Sequence, residues 1–81
     1  MEKQEILDRI VKVTAEVLNI DPEMVKPESN FVFDLGAEST QSVQLVAAFE
    51  EAFDIEMEGE EALAVQTVGE AADFIEKYVN A

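Results

Sequence analysis

The 81 residues carry nineteen acids against five bases, a formal charge of −14, with 48% hydrophobic residues. That length suits one folded unit, expected to span residues 1–81, and the apolar share is too high for a disordered chain. Because cysteine and histidine are both absent, disulfides, cysteine–histidine zinc sites and the familiar nucleophile–base pairs are excluded.

The bases fall at Lys3, Arg9, Lys12 and Lys26, and none follows until Lys77. The stretch between Lys26 and Lys77 is therefore of one sign. Such a field repels nucleic acid and anionic membranes and steers basic proteins into contact. Equally, it would keep a small protein soluble, and composition leaves both readings open. The chain opens Met1-Glu2-Lys3 with no basic-then-apolar leader, and no apolar run is long enough to span a bilayer. A cytoplasmic monomer with no nucleic-acid partner is expected.

Helical spacing comes first in chain order. Ile6, Ile10, Val13 and Val17, widened by Leu7, Val11 and Leu18, predict a helix over about Lys3 to Leu18. Its acids Glu2, Glu5 and Asp8 precede Arg9 and Lys12, as the helix dipole favours. Asn19-Ile20-Asp21-Pro22 ends it, and Pro22, Pro27, Ser29 and Asn30 mark a long loop with one helical turn near Pro22–Val25. Phe31, Phe33 and Leu35 alternate as in a strand, yet the run is short and has no pairing partner. It reads as a loop whose aromatic groups pin it to the core.

A second helix is predicted from about Ser39 to Phe53. Ser42, Leu45, Val46, Phe49 and Phe53 share one face, which should be buried apart from the serine. Thr40, Gln44, Ala47 and Glu51 form a stripe that should face solvent. A short third helix is expected over Glu60 to Ala64, introduced by Gly59. Thr67-Val68-Gly69-Glu70 has the form of a capping box. It opens a last helix reaching about Tyr78, with Val68, Ala71, Ala72, Ile75 and Val79 inward. The fold class is thus all-α, a four-helix bundle of three longer helices and one short third helix after a long first loop.

No catalytic residue and no metal site emerge. The carboxylates lie along exposed helical faces, solvated and not tuned for proton transfer. Asp54, Glu56, Glu58 and Glu60 are acidic at alternate positions, but the glycine and closing glutamate of a calcium loop are not at the required spacing. The segment Asp34-Leu35-Gly36-Ala37-Glu38-Ser39 is different, with a glycine, an acid and then a serine at a helix start. A serine there commonly caps the helix. The same place suits an attached phosphodiester, since free N–H groups and the positive end of the dipole favour an anion.

From Phe33-Asp34-Leu35-Gly36-Ala37-Glu38-Ser39 through Val43, Leu45-Val46, Phe49-Glu50-Glu51 and Phe53-Asp54-Ile55-Glu56, the chain resembles the acyl carrier protein family. Thr67-Val68-Gly69-Glu70-Ala71 and Phe74-Ile75 resemble that family's final helix. The resemblance implies that Ser39 carries covalent 4′-phosphopantetheine, transferred from coenzyme A by a holo-synthase, a phosphopantetheinyl transferase using a divalent metal. The arm's thiol would hold acyl groups as thioesters for acyl-loading and acyl-processing enzymes with basic docking patches, as in fatty-acid biosynthesis. The chain itself would not be an enzyme. By the family's example an acyl chain folds back between the helices, where Ala47, Ala62, Ala64, Ala71 and Ala72 could leave room.

The sequence departs from the family at Glu38-Ser39-Thr40, where the family has Asp-Ser-Leu. It also has Gln41 and Gln44 in place of acids and Ala47 in place of a larger apolar residue. These changes fall on or beside the stripe Glu38, Thr40, Gln44, Ala47 and Glu51, where members of the family meet partners. They imply a specialised carrier. Val43, Leu45, Val46, Phe49 and Phe53, the core positions by this resemblance, stay apolar. A polyketide or aminoacyl carrier, or an unmodified acidic interaction module, are the alternatives.

Overall fold

The protein, described over residues 1–80 in a computed structural model, has the expected all-α bundle. Its helices are α1 (Lys3–Leu18), α2 (Ser39–Phe53), α3 (Gly59–Ala64) and α4 (Val68–Val79), with a 3-10 turn at Pro22–Met24. Among the described residues the one β feature is an isolated bridge between Asn30 and Thr67.

Helix α1 is the common wall. Both α2 and α4 pack on it, while α3 packs on α2. The buried line along α1 runs Ile6, Ile10, Thr14 and Leu18, with Ala15 beside it. Val13 and Val17, expected at the centre of the stripe, are only half-buried. The four-residue ladder that starts at Ile6 and Ile10 reaches position 14 and not 13, so a threonine occupies the deepest slot. Asn19 closes the helix in the left-handed conformation, φ 56°, with its N–H donating to the Ala15 carbonyl.

The predicted ends of the later helices hold to within a residue. Thr67 and Glu70 form the capping box: the Glu70 amide donates to Thr67 Oγ1 at 3.2 Å and the Thr67 amide to Glu70 Oε1 at 3.0 Å. Helix α3 starts at Gly59, one residue before the expected Glu60, because the Glu58 carboxylate accepts from the Glu60 amide and caps it. Val68, Ala71, Ala72 and Ile75 are buried where α4 packs on α1, while Val79 is half-buried. Lys3 bridges to Asp73 and Glu76 on α4. The hydrogen bond to Asp73 raises the Lys3 pKa above its ordinary value of 10.5. The pair is solvent-exposed, so it contributes little to stability. Arg9 lies over the Phe53 ring at 5.8 Å, joining α1 to the end of α2.

Thr14 is fully buried, and its hydroxyl has no hydrogen-bond partner among the described residues. Thr14→Val keeps the shape and removes the orphaned group, and should stabilise the fold by about 1 kcal/mol. The readout is a higher urea midpoint at an unchanged denaturant slope. An equal or lower midpoint contradicts it.

Candidate functional site

The long segment between α1 and α2 ends in a tight, hydrogen-bonded turn over residues 31–35. Asn30 organises it: its Oδ1 accepts from the amides of Val32 and Phe33, both at 2.9 Å, and Asp34 Oδ2 accepts from the Asn30 amide at 2.7 Å. The arrangement mimics a helix cap. Leu35 and Asp34 then donate to the Asn30 carbonyl and Gly36 to that of Val32. This helical spacing turns Phe31 and Leu35 into the core, at 7% and 9% exposure, and turns the residue between them out. Phe33 is 88% exposed. The expectation that both aromatics pin the loop therefore holds for Phe31 and fails for Phe33, because the local period is nearer four residues than two.

Gly36, at φ +73°, makes the reversal that most side chains resist. Ala37 is buried and its amide donates to the Phe31 carbonyl at 2.8 Å. Glu38 is the N-cap of α2, with its amide donating to Gln41 Oε1 at 3.0 Å. Ser39 is thus the first helical residue and not the cap. Its side chain is exposed, and among the described residues its hydroxyl has no intramolecular hydrogen bond. The first bond of the helix runs from the Ser42 amide to the Glu38 carbonyl. Apart from the N-cap Glu38 the first turn holds no acid, so the N–H groups left free there and the positive end of the dipole favour an anion.

Thr40, Gln44, Ala47 and Glu51 all face solvent, as does Glu38. Leu45, Phe49 and Phe53 are buried and Val46 is half-buried. Val43, expected in the core, is 58% exposed. It stands one turn beyond Ser39 and two residues from Leu45, on the side of α2 that turns away from α1.

Because α2 and α4 lean on α1, a cleft of about 340 Å³ remains between them. Leu45, Val46 and Phe49 line it from α2, Ala62 and Leu63 from α3, and Ala71, Phe74 and Ile75 from α4. Val32 and Phe33 border it from the loop. No charged side chain lines it. Ala62, Ala64 and Ala71 do give it room as expected, but Ala47 faces solvent and Ala72 is packed fully into the core. Ser42 and Val46 lie on the cleft, and Ser39 shares their face of the helix at positions i, i+3 and i+7. Ser39 therefore stands about 4.5 Å along the helix axis from Ser42 on the cleft wall. No cluster of three acids able to hold a metal ion occurs among the described residues, and none of their helices is long and apolar enough to cross a membrane.

Compared with known protein families, residues 8–75 match the phosphopantetheine attachment site family. The chain belongs to that family. Its members attach 4′-phosphopantetheine covalently to a serine and carry acyl or peptidyl intermediates on it. They meet a phosphopantetheinyl transferase and the enzymes that process the cargo. The attachment-site family is wider than the acyl carrier proteins alone. The residues present fit the prosthetic group: an exposed, unbonded serine hydroxyl, a positive helix end for the phosphodiester, and an apolar cleft one turn away.

Sequence reasoning placed Ser39 at the start of α2, where the structure has it. It missed Phe33 and Val43 as surface residues. Asn30 was legible only as a loop residue, although asparagine is a favoured capping residue. Asn30→Ala should leave the Val32 and Phe33 amides unpaired and destabilise the chain by about 1 kcal/mol. Hydrogen exchange at those two amides should accelerate. Unchanged protection there would contradict the assigned role.

Proposed function

We propose that this chain is a non-enzymatic carrier, a single unit working as a monomer in the cytoplasm, with its 4′-phosphopantetheine attached at Ser39. The observation behind the site is the fate of the three serines. Ser29 is buried, its Oγ accepting from the Lys26 amide and donating to the Met24 carbonyl. Ser42 is half-buried on the cleft wall. Ser39 alone is exposed at a helix start, where a transferase can reach it. In the transfer the Ser39 hydroxyl gives its proton to a base of the transferase, its oxygen gains the bond to phosphorus, the pyrophosphate link of coenzyme A breaks, and the nucleotide part leaves. The bound arm supplies a thiol on which cargo is held as a thioester.

The chain's own residues supply an attachment point, a shelter and a docking face. Tethering keeps cargo at high local concentration wherever the carrier docks. Its acidic surface suits fast, reversible contact with basic enzymes. Glu38, Thr40, Gln44, Ala47 and Glu51 form the docking stripe in this reading. With only Glu51 charged beyond the first turn, that stripe favours dedicated partners over general fatty-acid enzymes. The uncharged cleft favours an apolar acyl chain as cargo over an aminoacyl group, whose ammonium would have no partner there. Each methylene that enters gains about 0.8 kcal/mol.

Intact-mass measurement after incubation with a phosphopantetheinyl transferase and coenzyme A should show one added phosphopantetheinyl group. The addition should vanish in Ser39→Ala and persist in Ser42→Ala. An unchanged wild-type mass, or modification of Ser39→Ala, would sink the assignment. For the cargo, NMR shift changes at Ala62, Ala71 and Ile75 should appear with a medium-length acyl chain on the arm. An acetyl or aminoacyl group should leave those signals in place. Equal shifts with all three cargoes would remove the case for an apolar chain.

A further inference from the structure

Phe33 is the most exposed large apolar residue in the chain, yet its backbone is firmly held. Its amide donates to Asn30 Oδ1, and its neighbours Phe31 and Leu35 are buried anchors. A ring presented to water on a fixed backbone gains nothing inside the molecule and loses little freedom on being covered by something else. Val32 and Leu63, at 53% and 51% exposure, border the same cleft, and Val43 stands one turn beyond Ser39.

Charge selects the occupant. From Ser39 to Phe49, α2 has no charged residue, although the chain carries −14. The ground beside Ser39 is therefore uncharged and partly apolar. Its borders along the chain are acidic: Asp34 follows Phe33, Glu38 precedes Ser39, and Glu60 and Glu61 precede Leu63. An apolar centre with a charged rim is the anatomy of a protein interface. A second copy would set two acidic rims face to face, and anionic lipid or nucleic acid would be repelled. A basic protein is the partner that fits.

We propose that Phe33 is the anchor on which an enzyme acting at Ser39 seats itself, its ring entering an apolar socket on that enzyme. Basic residues around the socket face Asp34 and Glu38, and Val43 packs at the socket's edge. The inference rests on Ser39 being the attachment point. Any enzyme reaching Ser39 from the cleft side must cover this ground, since Ser42 and Phe33 border one cleft.

The test uses the full chain with a broad-specificity phosphopantetheinyl transferase and coenzyme A as the probe. Phe33→Ala and Phe33→Glu should each raise KM for the carrier about tenfold, the loss typical of an interface anchor. Phe33→Leu should recover most of that loss. The value of kcat should stay within about a factor of two, because the hydroxyl itself is untouched. Met24→Glu, at an exposed apolar residue off the cleft, should behave as wild type. Melting temperatures should not fall, since the ring is already in water. If wild type is modified and Phe33→Glu keeps the wild-type KM, the anchor is overturned while the attachment site stands. A loss confined to kcat, or an equal loss in Met24→Glu, overturns it too. A wild-type chain that stays unmodified overturns the Ser39 reading, and the anchor falls with it.

Discussion

Three backbone hydrogen bonds between the long first loop and the start of α4 position everything that matters in this chain. The Phe31 amide donates to the Gln66 carbonyl at 2.9 Å, the Val68 amide to Ser29 at 3.0 Å and the Gly69 amide to Pro27 at 2.8 Å. Buried backbone groups in a loop need partners as much as those in a helix, and these bonds supply them where no regular element does. They require close approach: a Cβ at Gly69 would meet the Pro27 carbonyl oxygen at 3.1 Å. Through this seam the loop is fixed to α4, and through Phe31, Leu35 and Ala37 it fixes the start of α2. Ser39 is exposed without being loose.

The remainder of the bundle follows from α1 serving two neighbours at once. Its buried line meets α2 and α4, so those helices need not close on one another. Few ion pairs assist: Lys3 with Asp73 and Glu76, and Arg9 with Glu5, are the salt bridges among the described residues. With all bases but Lys26 on α1 and α4, the α2–α3 side keeps its negative field unrelieved. The salt bridges thus lie away from that side of the surface.

Helix existence and order were legible because they rest on short-range periodicity and caps. Thr67…Glu70 announced α4, and Asn19-Ile20-Asp21-Pro22 announced the end of α1. That Ser39 opens α2 was legible as well, since glycine, acid and serine before a helical stripe form a local pattern. What sequence could not give was depth. Val13 and Thr14 differ by one step around α1, and only the direction of packing decides which is central. Alternation made Phe31 and Phe33 look equivalent, whereas the Asn30 hydrogen bonds impose a helical turn that separates them. Val43 is apolar, as a core residue is, but the cleft leaves its side of α2 uncovered. Of the five alanines named for internal space, Ala62, Ala64 and Ala71 border the cleft, whereas Ala47 and Ala72 do not, because small size alone says nothing of which way a helix face turns.

The gap between α2 and α4 leaves an apolar vacancy among the side chains of the bundle. A guest joined to the same chain, as the proposed function requires, would fill that vacancy at an effective concentration set by its tether and not by dilution. Whatever it adds to folding belongs to the native state alone and acts by mass action within one molecule. Loaded and empty forms should therefore unfold at different temperatures, and the interval between them should be the same in a dilute cell extract as in a concentrated sample.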